Sequence, residues 1–159
     1  MKVLILGLFL CLTGCATNGY QEPTAGSSGQ PLATIKNYSD DNMTHPKFAF
    51  VESVDGQRRI YNNIFEGPQS QSTKLTSGAH DLVVTNTFNS GFFSFPRTST
   101  AELNVNLKPG MNYQLQMNIK NAHTLTWLTD EQGNTVSEVV KAPYKVTPGS
   151  GVIVVTSAR

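Results

Sequence analysis

The side chain whose chemistry stands out in this chain is Cys15. A thiolate is a strong nucleophile toward an alkyl donor, and this thiol sits directly behind two small residues, Thr13 and Gly14, and an apolar run from Val3 to Leu12. Small side chains leave the backbone open to a peptidase, and Lys2 ahead of the run completes the positive, apolar, small-residue order of a secretory leader. Ten residues as a helix reach ~15 Å, about half of a ~30 Å hydrocarbon core. Residues 1–14 are therefore expected to be a leader that is cut away rather than a permanent span.

The other reactive groups do not assemble into a known pattern. His45, His80 and His123 stand far apart, with no second ligand at zinc spacing, so no metal is expected. Asp40-Asp41-Asn42 lacks the following glycine and distal glutamate of a calcium loop. There is no G-x-S-x-G elbow, and Gly26-Ser27-Ser28-Gly29 has neither a strand before it nor a helix after it to make a phosphate loop. Carboxylates such as Glu52, Asp55, Glu66 and Glu102 give no reason to be paired across a sugar. Neither a catalytic site nor a cofactor is expected.

Leu12-Thr13-Gly14-Cys15 resembles the lipobox of bacterial lipoproteins: a long apolar residue, a small one, a glycine, then the cysteine. The resemblance implies diacylglyceryl transfer to the Cys15 thiol, cleavage after Gly14 and a third acyl chain on the new amino group. One chain binds a bilayer only marginally, whereas two or three, at ~0.8 kcal/mol per buried methylene, hold it durably. The implied partner is thus a membrane, reached through lipid on Cys15. Residue 16 is alanine, where an aspartate would resemble an inner-membrane retention signal, so the outer membrane of a Gram-negative cell is the expected address.

Loss of Lys2 with the leader leaves eleven basic against eleven acidic residues. Such a balance provides no field to recruit nucleic acid. Cys11 leaves with the leader as well, so no intramolecular disulfide is expected. From Cys15 to Gln30 the chain is small and polar, with Tyr20 its only large apolar side chain, and reads as a flexible tether with a reach on the order of 20 Å. Pro31 to Arg159 is then one domain with one core.

That domain must be built from strands. Ala101, Leu103, Val105 and Leu107 alternate with Glu102, Asn104 and Asn106, and Met111, Tyr113, Leu115, Met117 and Ile119 alternate with Asn112, Gln114, Gln116 and Asn118. A period of two over such lengths marks half-buried strands. Shorter strands are predicted at Leu32 to Tyr38, Phe48 to Val54, Arg58 to Ile64, His80 to Phe88, Thr124 to Thr129, Thr135 to Val140 and Gly151 to Thr156, with turns at Asp55-Gly56, Ser77-Gly78, Gln132-Gly133-Asn134 and Pro148-Gly149. The expected architecture is a single all-β sandwich of seven to nine antiparallel strands.

Leu107-Lys108-Pro109-Gly110-Met111-Asn112-Tyr113 resembles the tyrosine corner of immunoglobulin-like and fibronectin type III sandwiches, which implies a chain crossing between sheets and a Tyr113 hydroxyl bonded to upstream backbone. Pro109 and Gly110 suit the middle of a type II turn, where proline fixes φ and glycine accepts a positive φ. A simple hairpin with Tyr113 in the core is the alternative. Taken with Gly78 to Val84 and Asp130-Glu131-Gln132-Gly133, the corner resembles small Gram-negative lipoproteins with transthyretin-like or immunoglobulin-like domains, although Ser77 stands where those modules commonly carry proline. The resemblance implies an envelope location and no agreed activity. A non-catalytic interaction or accessory module with an envelope protein partner, such as a secretion-apparatus subunit, is the leading expectation. A glycan-binding or hydrolase-associated lipoprotein and a purely structural lipoprotein are the alternatives, and the sequence sets no oligomeric state.

The candidate binding loop is Phe92, Phe93 and Phe95 with Arg97, between two strands. Exposed, these rings would mark a partner or membrane contact. The favoured alternative has Phe92 and Phe95 capping the open end of the core. Trp127, which alternates with Leu125, is expected inside, whereas carbohydrate stacking would need it on the outer face.

Overall fold

The computed structural model describes residues 19–24, 29–40, 42, 44–60, 71–91 and 94–147. Within them the chain forms eleven strands: β1 (Ala33–Lys36), β2 (Tyr38–Asp40), β3 (Lys47–Val54), β4 (Gln57–Arg58), β5 (Ser72–Leu75), β6 (Gly78–Phe88), β7 (Arg97–Leu107), β8 (Asn112–Lys120), β9 (His123–Asp130), β10 (Val140–Pro143) and β11 (Lys145–Val146). Sheet one has the order β10-β9-β8-β1-β5, and sheet two β11-β7-β6-β3-β2, with β4 hydrogen-bonded to β3. The fold is a β-sandwich, with more strands than the expected seven to nine. It is also not wholly antiparallel, because β1 runs parallel to β8 from Thr34 beside Asn112 to Lys36 beside Gln114.

The long strands β6, β7 and β8 follow the alternation in the sequence. Leu82 and Val84 on β6, Leu103, Val105 and Leu107 on β7, and Leu115 and Met117 on β8 all point into the space between the sheets. Burying side chains of this size contributes roughly 1.5–3 kcal/mol each. A bulge at Glu52 breaks the register of β3 against β6 and lets Val51 and Val54, three apart, face the core together. The β3–β4 hairpin closes through Asp55 (φ 50°) and Gly56 (φ 77°), the two positive dihedrals that a type I′ turn requires.

Two of the unexpected strands, β2 and β11, arise where one segment serves both layers. Leu32 to Tyr38 reads as one strand, yet it breaks at Asn37 and passes from sheet one to sheet two. Buried Asn37 makes that crossing possible: its Nδ2 donates to the Gln71 carbonyl, its Oδ1 accepts from the Val51 N–H at 3.3 Å, and its own carbonyl accepts from Gln114 Nε2 at 2.8 Å. Tyr144 marks a second crossing on the opposite edge, between β10 in sheet one and β11 in sheet two. Of Thr135 to Val140 only Val140 is in a strand, as the first residue of β10, and Thr135 makes an isolated bridge to Thr129. Of Arg58 to Ile64 only Arg58 is in a strand among the described residues, and Gly151 to Thr156 lies outside them.

Strand β9 faces the other way from expectation. Thr124, Thr126 and Leu128 are buried, while Leu125 and Trp127 lie half-buried on the outer face. Its pairing with β8 puts Leu128 beside Leu115 and Thr126 beside Met117, which aligns those residues with the inward face of β8. The hydroxyls are accommodated by a polar network at that depth. Asn86 Nδ2 donates to Ser99 Oγ at 3.1 Å and Thr126 Oγ1 at 3.0 Å, Asn86 Oδ1 accepts from Thr126 Oγ1 at 3.2 Å, and Ser99 Oγ lies 2.6 Å from Thr124 Oγ1. Each of these polar side chains is buried and each has a partner, as burial in low dielectric demands.

The corner at residues 107 to 113 connects β7 of sheet two to β8 of sheet one. Gly110 has φ 72°, the Met111 N–H reaches the Lys108 carbonyl, and the Tyr113 hydroxyl accepts from the Lys108 N–H at 2.9 Å. Tyr113→Phe leaves that partly buried N–H without its acceptor and is expected to lower stability by about 1 kcal/mol. A urea titration should show a lower midpoint with an unchanged slope.

The segment read as a tether is partly docked. The Tyr20 N–H donates to the Arg58 carbonyl at 2.8 Å, Tyr20 bridges in parallel to Arg59, and its hydroxyl donates to the Lys74 carbonyl at 2.6 Å. Glu22 Oε1 pairs at 2.8 Å with Arg59, whose buried guanidinium also donates to Thr73 Oγ1 and the Ser72 carbonyl. Burial, followed by the nearby Glu22 charge, pushes the Tyr20 phenol up to about 12. A ring packed on the core and a carboxylate on a buried guanidinium together supply what composition alone did not reveal.

Candidate functional site

Cys15 and its neighbours Leu12, Thr13 and Gly14 lie outside the described residues, as do Phe92 and Phe93. Among the described residues no helix is long and apolar enough to cross a membrane. The remaining members of the candidate loop can be placed. Phe95 is 59% exposed and does not cap the core. That end is closed instead by Phe88 and Tyr144, whose rings meet edge to face at 5.0 Å between centroids. Arg97 opens β7 with its guanidinium carbon 5.6 Å from the centre of the Tyr144 ring, a cation–π contact.

Strand β11 sets this end. Val146 pairs with Arg97 and Lys145 with Thr98, and the Thr147 N–H donates to the Pro96 carbonyl at 2.9 Å. Val146, 50% exposed, is thereby tied to the same short stretch of chain as Phe95. Both lie on the segments that carry the Arg97–Tyr144 contact. Sequence reading named Phe95 and Arg97 but missed Tyr144 and Val146, because pairing over nearly fifty residues leaves no local signal. The loop between β6 and β7 is held by Ser94, whose hydroxyl donates to the Gly91 carbonyl and accepts from the Ser90 N–H.

A second surface is the outer face of sheet one. Trp127 sits there beside its cross-strand partner Gln116, with Thr129 and Gln114 one pair along and Leu125 and Asn118 on the other side. Gln116 Nε2 donates to Thr129 Oγ1 at 3.3 Å, which turns its amide along the sheet next to the indole. An aromatic ring flanked by side-chain amides offers an apolar face and hydrogen-bonding groups together, the combination that a sugar ring presents in return.

The most structured titratable pair is His80 with Asp55. His80 Nδ1 lies 2.8 Å from Asp55 Oδ2, its Nε2 lies 3.0 Å from the Thr76 carbonyl, and Asp55 Oδ1 accepts from the Asp81 N–H at 2.9 Å. Both ring nitrogens face acceptors, so the protonated ring satisfies both. Partial burial pushes the Asp55 carboxyl up, but the Asp81 N–H and the His80 ring together outweigh it and hold the carboxyl below its usual range. A depressed carboxylate contributes stability above its unfolded pKa and loses it as pH falls through the folded one. Asp55→Asn is therefore expected to flatten the loss of stability below about pH 4, and at neutral pH to cost less than about 1 kcal/mol, since the carboxylate is half exposed and solvent-screened. Denaturant midpoints from pH 2 to 7 test this. The pair pins the β3–β4 turn to the start of β6, and its geometry is that of a structural clasp.

Among the described residues no three His, Cys, Asp or Glu side chains gather where they could hold a metal ion. Comparison of the chain with protein-family models, with curated proteins and with solved structures finds no match.

Proposed function

We infer that this chain is a non-catalytic, lipid-anchored module of the bacterial cell envelope that docks a protein partner through the end of the sandwich carrying Phe95 and Val146. The observation that carries the docking reading is the exposure of those two apolar side chains on the two segments that β11 joins to the start of β7. Apolar side chains grouped on a surface favour a partner that removes them from water. Arg97 and Tyr144 beside them supply residue types enriched at interface centres. The address rests on the lipobox resemblance of Leu12 to Cys15 and on Ala16, which favours the outer membrane. The likeness of the Pro109-Gly110 corner and its flanking motifs to transthyretin-like and immunoglobulin-like lipoproteins supports an accessory role in an envelope assembly.

A photo-crosslinking residue placed at Phe95 or Val146 in living cells is expected to trap one discrete protein partner. The pair Phe95→Ser and Val146→Ser should abolish the complex without unfolding the domain, because both side chains are already in water. Recovery of the uncrosslinked chain alone from both positions would count against this reading. The position of Trp127 among Gln114, Gln116 and Asn118 favours a second one, a glycan platform on sheet one. Titration of envelope glycans separates the two: Trp127→Ala removes binding in the second case and changes nothing in the first.

A further inference from the structure

We propose that the edge of the sandwich formed by β4, β5 and the docked Gly19–Tyr20 segment lies against the phospholipid headgroup layer, and that the β10–β11 edge faces away from it. The proposal rests on acylation of Cys15 and goes beyond it, from where the chain is fastened to how the domain is turned. Tyr20 is held to Arg58 and Lys74, which ties the chain to the folded body at Gly19–Tyr20. Only Ala16, Thr17 and Asn18 separate Gly19 from the acylated residue. Four backbone steps, fully extended, reach about 14 Å.

That reach decides the orientation. In sheet one β5 and β10 are the two edges, four strand spacings apart, or about 19 Å at ~4.8 Å per spacing. Laying the β10–β11 edge on the bilayer would lift Gly19 by at least the width of the sheet, farther than the leash extends. Turning the β4–β5 edge down needs no such reach. The side chains on that edge suit a headgroup layer. Ile60 lies against Gly19 and is 59% exposed, an apolar group free to enter the interface. The Arg58 side chain is 82% exposed, and Lys74 on β5 is exposed as well, cations that favour anionic lipid. Glu52, 3.8 Å from Arg58, Glu22, bound to Arg59, and Asp55, in the turn before β4 and close enough for its charge to act on Tyr20, are acidic groups there among the described residues. The opposite edge then presents Tyr144 and Val146 away from the lipid.

The test uses the full acylated chain in vesicles of phosphatidylethanolamine and phosphatidylglycerol. Acylation blocks the Cys15 thiol, so a cysteine introduced at Ile60 or at Lys145 takes a fluorophore alone. A headgroup-attached quencher is expected to quench the label at position 60 several-fold more than the label at 145. Tyr20→Ala with Glu22→Ala, which undocks the segment and lengthens the leash, should bring the two signals together. Equal quenching in the parent chain, or stronger quenching at 145, overturns the proposal while an acylated intact mass leaves the anchorage standing. An unmodified thiol by mass overturns both.

Discussion

Cys15→Ser is expected to strip the acyl mass from the chain and remove it from the outer-membrane fraction. The change replaces one atom, but the hydroxyl is far less nucleophilic than the thiolate and does not take up the alkyl group. Without acyl chains, balanced charge and the few apolar side chains exposed among the described residues are too little to hold a bilayer. Fractionation with intact-mass measurement reads the outcome directly. A parent protein whose Cys15 is unmodified, or one that still begins at Met1, would remove the basis for the envelope reading.

The second large effect is on stability. Asn86→Leu keeps the volume of a fully buried side chain but takes away two donors and the acceptor used by Thr126. Leaving buried hydroxyls short of partners costs about 1–3 kcal/mol per group, so a loss on the order of 3 kcal/mol is expected. That is a large part of the margin of a small domain. The denaturant midpoint should fall with the slope unchanged. Replacing the whole set, Asn86→Leu with Ser99→Ala, Thr124→Val and Thr126→Val, should recover most of the loss, since an apolar cluster of similar shape leaves nothing unpaired. Failure of that rescue would show that the network contributes more than the satisfaction of its own members.

The same network explains where sequence reading stopped. Strands β7 and β8 were legible because every second residue is apolar and the residues between are polar, so one face can be buried. In β9 the apolar residues Leu125 and Trp127 alternate just as clearly, yet the threonines go inside, because Asn86 across the sandwich supplies partners at that depth. No local pattern carries that information. The crossing at Asn37 was invisible for a similar reason, since its partners Gln71, Val51 and Gln114 come from three distant segments. Strand β5, Ser72–Leu75, is too short and too polar to show a period. The docking of Tyr20 and Glu22 depends on Arg59, a residue with nothing unusual in its neighbourhood until the chain is folded. The corner at Pro109-Gly110 and Tyr113 was readable because its geometry is specified by adjacent residues.

The parallel pairing of β1 with β8 has a consequence for how the molecule comes into being. Ala33–Lys36 is flanked in its sheet by β5 on one side and β8 on the other, and its partners on β8 are Asn112 to Gln114. A chain that emerges N-terminus first cannot complete this pairing until the segment up to Gln114 has emerged. The closing step waits on contacts far apart along the polymer, which raises the entropic cost of loop closure and slows maturation. Until then the early strands expose unpaired edges, so a holdase that binds extended segments has its longest opportunity before residue 114 emerges.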